Sequence, residues 1–122
     1  MDDATFVFEL LLLKDHSFAH KLDEYIDSVC TLCIIQPKNI PYLVLKLVEL
    51  VEKKNIIFYL QHHLSIEETY KLFTLFRQYI ISKIVCEFDT KEFIEVYNNC
   101  ITLAMLNLSF VKQKKKQGWL CF

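Results

Sequence analysis

Apolar residues recur along this chain at intervals of three and four, the spacing of one helical face. Between residues 18 and 35 they stand at 18, 22, 25, 26, 29, 30, 32 and 33, with Lys21, Asp23, Glu24 and Asp27 on the other side. Residues 41–54 are apolar over most of a helical circumference, with a narrow charged stripe through Lys46, Glu49 and Lys53. Such a helix belongs in the middle of a fold. Residues 5–14 are short and almost wholly apolar, and read as a buried first helix.

The punctuation is of helix-cap type. Asp15 and Ser17 supply a break and an N-cap, and Pro37, Asn39 and Pro41 end one helix and begin the next. Asn55 is the expected cap after the third helix. Ser65 followed by Glu68 is a capping box, in which each side chain satisfies an orphan backbone N–H. The helix after it is predicted to run to about Glu87, with Leu72, Phe73, Phe76, Tyr79, Ile80, the Lys83 stem and Ile84 inward. Asp89 and Glu92 repeat the signal for a last helix over 90–115, with Glu92, Glu95, Asn99 and Thr102 on its polar side. Residues 56–60, Ile-Ile-Phe-Tyr-Leu, have strand chemistry but no obvious strand partner. The segment 56–64 therefore reads as a short helix, with a strand as the alternative.

The expectation is an all-α fold, a compact bundle of five or six helices. Two or three helical hairpins stacked side by side would fit, although no period of 20–50 residues repeats. Residues 1–111 form one helical domain on this reading, and 112–122 a basic tail with an apolar tip.

Composition adds a functional expectation. Hydrophobic residues make up 53% of 122 positions, and the single glycine is Gly118. A domain of this size hides only roughly two-thirds of its extended-chain surface. Some of the apolar surplus is expected to stay exposed, the usual mark of a partner, a groove or a membrane. One glycine also excludes a P-loop, a dinucleotide fingerprint and a nucleophile elbow, each of which needs two or more. Residues 1–61 hold six Lys/Arg and nine Asp/Glu, and residues 62–122 hold eight and six. A formal net charge of -1 argues against a dedicated nucleic-acid binder.

Five cysteines form no even disulfide framework, and Met1, Asp2 and Asp3 lack the basic start of a signal peptide. Reduced thiols in the cytoplasm or nucleus are expected. The longest uncharged run, 96–111, has sixteen residues and contains Asn98, Asn99 and Asn107. That is shorter than the roughly 18 residues of a membrane span, so no transmembrane segment is expected and a tail anchor is an alternative. The abundance of Lys, Ile, Phe, Asn and Tyr suits an A+T-rich genome, many viral ones among them.

Three constellations carry candidate chemistry. His16, His20, Cys30 and Cys33 are the residue types a tetrahedral zinc takes. Against zinc, both cysteines fall on the apolar side of a predicted helix, where thiols behave as small hydrophobes. A redox role for Cys30 and Cys33 would need a thiolate at a helix start, whereas this pair sits late in its helix. His62 and His63 beside Glu67 and Glu68 resemble an acid–base cluster, but no nucleophile or oxyanion site accompanies them. The C-terminal segment joins Lys112, Lys114, Lys115 and Lys116 to Trp119, Leu120 and Phe122. Its aromatics suit a partner groove, its lysines an anionic membrane or RNA backbone, and the tip is also able to fold back onto the protein's own core.

Together these features predict a non-enzymatic interaction or adaptor module, or a subunit of a larger assembly, without a cofactor. It would bind a protein through an apolar helical face or groove, with a homodimer as one form of that partnership. Small zinc-binding domain and tail-mediated RNA or membrane attachment are the alternatives.

Overall fold

The structure is a computed structural model that describes residues 2–30, 35–54 and 64–108. Its helices are α1 (Asp3–Glu9), α2 (His16–Val29), α3 (Ile40–Lys53), α4 (Ile66–Lys83) and α5 (Thr90–Ala104). A π turn, Leu10–Lys14, continues α1, and 3-10 turns at Pro37–Asn39 and Met105–Asn107 precede α3 and follow α5. There is no strand among the described residues, and the fold is an all-α bundle.

The starts of α4 and α5 follow the expected capping residues, whereas α2 is capped by Asp15 itself with Ser17 inside the helix, and α1 begins at Asp3 under Asp2 rather than at residue 5. Asp2 Oδ1 accepts from the Thr5 N–H at 2.8 Å, Asp15 Oδ1 from Phe18 at 3.0 Å, Ser65 Oγ from Glu68 at 3.1 Å and Asp89 Oδ1 from Glu92 at 3.1 Å. Each satisfies a donor that has no partner within its own helix. Asn39 precedes α3 without a side-chain cap, and Pro41 sits in the first turn, where its missing N–H costs nothing.

The packing order differs from the chain order. α1 lies along α4, α4 beside α5, α5 beside α3, and α3 beside α2; the π turn closes the ring between α1 and α2. Two helix pairs, α2–α3 and α4–α5, thus meet across α3 and α5. The core gathers Leu11, Phe18, Leu22, Leu43, Leu47, Leu72, Phe73, Phe76, Phe93 and Tyr97. The Phe76 ring is 5.1 Å from Phe8 and 5.4 Å from Phe18, so one α4 side chain holds α1 and α2 together. Of the aromatics expected inward on α4, Phe73 and Phe76 are buried and Tyr79 is half-buried, and Phe93 and Tyr97 of α5 are buried too.

Three helix ends and two faces depart from expectation. α2 stops at Val29, with Cys30 already outside the helical region (φ -103, ψ 26). α4 stops at Lys83 rather than Glu87. Ile84 turns extended, and the Glu87 carbonyl then accepts from the Ile35 N–H at 3.2 Å, tying two connections together. α5 stops at Ala104 and passes through a 3-10 turn to an extended Leu108, although Met105 and Leu108 stay buried. The apolar pattern thus reads straight through the point where the backbone changes. α1 is not buried all round, since Phe6 and Leu13 are exposed while Ala4, Val7 and Leu11 face inward. α3 is not central either: seven of its residues are buried, but Pro41, Tyr42 and Leu45 face out. Lys83 likewise lies exposed, its ammonium 5.4 Å from the Tyr79 ring centre. Asn55 and the segment 56–60 lie outside the described residues.

Candidate functional site

Among the described residues, four exposed large hydrophobics, Tyr42, Leu45, Leu103 and Leu106, belong to α3, α5 and the turn after α5, and Phe6, Leu13, Ile66, Tyr70 and Val85 are exposed elsewhere. The starting turns of α3 and α5 share one hollow of about 370 Å³, floored by Ile35, Pro37, Ile40, Phe88 and Phe93 and lipped by Glu87, Asp89 and Glu92. Farther along, a second hollow of about 280 Å³ is lined by Pro41, Val44, Leu45 and Val48 of α3 and by Cys100, Leu103 and Ala104 of α5. The first hollow joins residues at and before the starts of both helices, and the second joins the first nine residues of α3 to the last five of α5. Between the two helices is a seam with an acidic end and an apolar end.

The seam exists because both helices carry apolar residues on more than one face. Val44, Val48 and Ile101 are buried, while Leu45 remains 54% exposed and Leu103 72% exposed. Tyr42 of α3 and Leu106, just after α5, are exposed as well. Lys46 reaches back to Glu49 at 3.7 Å and lies 5.5 Å from the Tyr42 ring centre, beside the apolar strip. At the acidic end, Asp89 has one carboxylate oxygen on the Glu92 N–H. Among the described residues, no lysine or arginine is paired with Glu87, Asp89 or Glu92.

The zinc quartet is not assembled. His16 and His20 stand in the first turns of α2 and Cys30 follows its last turn. Fourteen residues at about 1.5 Å each separate His16 from Cys30 by roughly 20 Å, whereas zinc ligands lie about 2.0–2.3 Å from one ion. His20 Nε2 instead meets Glu24 at 3.1 Å on an exposed face. No group of three or more His, Cys, Asp or Glu is placed to hold a metal among the described residues, and Cys33 lies outside them.

Cys30 has a different neighbour, Cys86, whose thiol donates to the Cys30 carbonyl at 3.4 Å. Burial, and then the adjacent Cys86 thiol, push the Cys30 thiol up to about 11. Burial also raises Cys100. A thiol shifted this way is protonated at neutral pH and is a poor nucleophile. The two shifted tyrosines are equally unsuited to proton transfer. Burial and a 2.8 Å bond to Asp23 raise Tyr79, and burial raises Tyr97, whose hydroxyl donates to the Phe73 carbonyl at 2.5 Å.

His62 and His63 lie outside the described residues, but their proposed partner Glu68 is placed. Its Oε2 accepts from the Ala4 N–H of α1 at 3.0 Å, so it serves a different helix from the one the capping box implied. A further hollow of about 290 Å³ lies at the π turn, lined by Leu10, Leu11, Lys14, Asp15 and His16. Asp15 there is bound to Lys54 at 2.9 Å. Lys112, Lys114, Lys115, Lys116, Trp119, Leu120 and Phe122 also lie outside the described residues.

No single residue type in the sequence flags the seam. The nearest signal is the circumference of 41–54, too apolar for one buried face. No helix among the described residues is long and apolar enough to cross a membrane. Comparison with protein-family models, curated proteins and solved structures finds no match to this chain.

Proposed function

We propose that this chain is a non-enzymatic helical interaction module that receives an apolar segment of a protein partner along the α3–α5 seam. The observation that carries this reading is the pair Leu45 and Leu103, more than half exposed on the two walls of an apolar hollow. Water at such a surface is released when a complementary apolar face covers it. The spacing of two neighbouring helices suits a partner helix whose anchors recur every three or four residues.

A photo-crosslinking amino acid at position 103, introduced into the full chain in cells, tests the reading. The expected result is one discrete crosslinked species, absent when the same group replaces His20 on the exposed face of α2. A crosslink to a second copy makes the chain its own partner. Diffuse labelling equal at both positions would overturn the reading.

A further inference from the structure

The connections that follow α2 and α4 touch at two points. At one, the Ile35 N–H donates to the Glu87 carbonyl at 3.2 Å. At the other, the Cys86 thiol donates to the Cys30 carbonyl at 3.4 Å, across fifty-six positions of sequence. The two thiols also lie within hydrogen-bonding reach of each other. Cys30 has just left α2, at φ -103 and ψ 26, and Cys86 follows Ile84, where the backbone has turned extended. Neither cysteine lies inside a helix, so joining their sulfurs unwinds none.

The pair is also within reach of a small molecule. Both cysteines are half-buried at the edge of the core, and Val85, next to Cys86, is 94% exposed. Cys100 is placed elsewhere, on α5, where it lines the apolar hollow.

We propose that Cys30 and Cys86 are an oxidisable pair that closes to a disulfide, with a low-molecular-weight disulfide such as oxidised glutathione as the oxidant. One protein thiol, as its thiolate, attacks a sulfur of the small disulfide and expels one small thiol. The second protein thiol attacks the mixed disulfide and expels the other. Two protein thiols thus give up two electrons and two protons, and one small disulfide becomes two thiols. The second step is intramolecular, and proximity offsets the scarcity of thiolate at Cys30. The bond ties the end of α2 to the segment carrying Glu87 and Phe88, which line the hollow at the starts of α3 and α5. Oxidation therefore fixes one wall of that hollow, and this holds whatever the seam receives.

Full-length protein incubated with oxidised glutathione, capped with N-ethylmaleimide and digested without reductant tests the pair. The expected product is a linked peptide joining Cys30 to Cys86 within one chain, lighter by two hydrogens than its two halves and released by dithiothreitol. Trypsin leaves Cys30 and Cys33 on one peptide, so fragment ions assign the sulfur. This bond should dominate over other pairings in the folded protein and lose that dominance in urea. Closure of so long a loop should raise the melting temperature by roughly 10 °C, reversed on reduction. Cys30→Ser should abolish both effects and Cys33→Ser should keep them. The mapping uses the unmodified sequence, so a variant that fails to fold leaves it decisive. A bond from Cys33 or Cys100 instead, glutathione adducts persisting on both Cys30 and Cys86, links between chains only, or the same pairings in urea would each overturn the proposal.

Discussion

Glu68 of α4 places its carboxylate 3.0 Å from the backbone N–H of Ala4, sixty-four residues away, and so caps α1 from outside. The Ala4 N–H belongs to the first turn of a seven-residue helix and has no acceptor within it. A helix that short has little stability of its own, so its start depends on tertiary contacts. Glu68→Ala is expected to destabilise the fold by about 1 kcal/mol. Glu68→Gln, which keeps an acceptor, should cost less. Urea unfolding followed by circular dichroism checks both, and equal losses would show that the carboxylate acts otherwise than as a cap.

Tyr97 and Phe73 form the buried counterpart of that bond. The Tyr97 hydroxyl donates to the Phe73 carbonyl at 2.5 Å, with the ring wholly inside the core. Tyr97→Phe keeps the packing and removes one hydrogen bond, for an expected loss of about 1 kcal/mol. Phe76→Ala removes a ring that touches Phe8 and Phe18, and is expected to cost about 3–5 kcal/mol. A midpoint shift in urea at constant slope is the measurement for the first variant. An unfolded or molten chain is an acceptable outcome only for the second.

Acid should weaken the fold through its helix caps. The Lys71 hydrogen bond, then the Thr5 N–H, hold Asp2 down at about 2, against an ordinary value of 3.8. The Lys54 hydrogen bond lowers Asp15 in the same way, opposed by burial. Both folded values lie below the unfolded ones. Their stabilisation is therefore complete above about pH 4 and is lost as pH falls below it, for Asp2 down to about 2. Melting temperature followed from pH 6 to pH 2 should fall across that window, and Lys71→Met should flatten part of the fall. Asp2 is half-exposed beside Lys71, so added salt should reduce its share.

Cys30 should alkylate slowly at neutral pH. With its thiol pushed up to about 11, only about one molecule in ten thousand carries the thiolate at pH 7. An ordinary thiol at about 8.5 carries a few per cent. Iodoacetamide labelling read by peptide mass spectrometry is expected to rise about tenfold per pH unit up to pH 10 at Cys30. Rapid labelling at pH 7 in the folded protein would contradict the burial-based shift. Denaturation should abolish the difference between Cys30 and a free thiol.

Replacing the large aliphatics of the seam separates fold from surface. Leu103, 72% exposed, should tolerate Leu103→Asp within about 0.5 kcal/mol. The same change at buried Leu47 should be severely destabilising, because an unpaired charge would enter the core. Thermal melts of the two variants make the comparison, and similar losses would mean that Leu103 is covered in the native protein.

The starts of α4 and α5 were legible because their cause is local, while at α2 the cap fell on Asp15 instead of Ser17 and α1 began two residues before the expected start. Asp15, Ser65 and Asp89 each lie three residues before the N–H they satisfy, and short side chains at that separation meet whatever the rest of the chain does. The α4 and α5 faces were legible for the same reason, since positions three and four apart share a helix side wherever it packs. The ends of α2, α4 and α5 were not, because Ile35, Ile84 and Leu108 stay apolar and buried across a change of backbone that periodicity does not register. The histidine and cysteine spacing suggested a metal only while the length of α2 between them was left out of account.

Local chemistry in the chain thus decided that it would be helical, where most helices begin and which residues line their inner faces. Which helix lies beside which was decided in three dimensions. α1 on α4, α3 on α5, Glu68 on Ala4 and Cys86 on Cys30 all join residues far apart in sequence. Apolar burial is non-directional, so a stripe of Leu and Phe demands cover without naming what covers it. The seam is the place where two such stripes met and were too wide to cover one another.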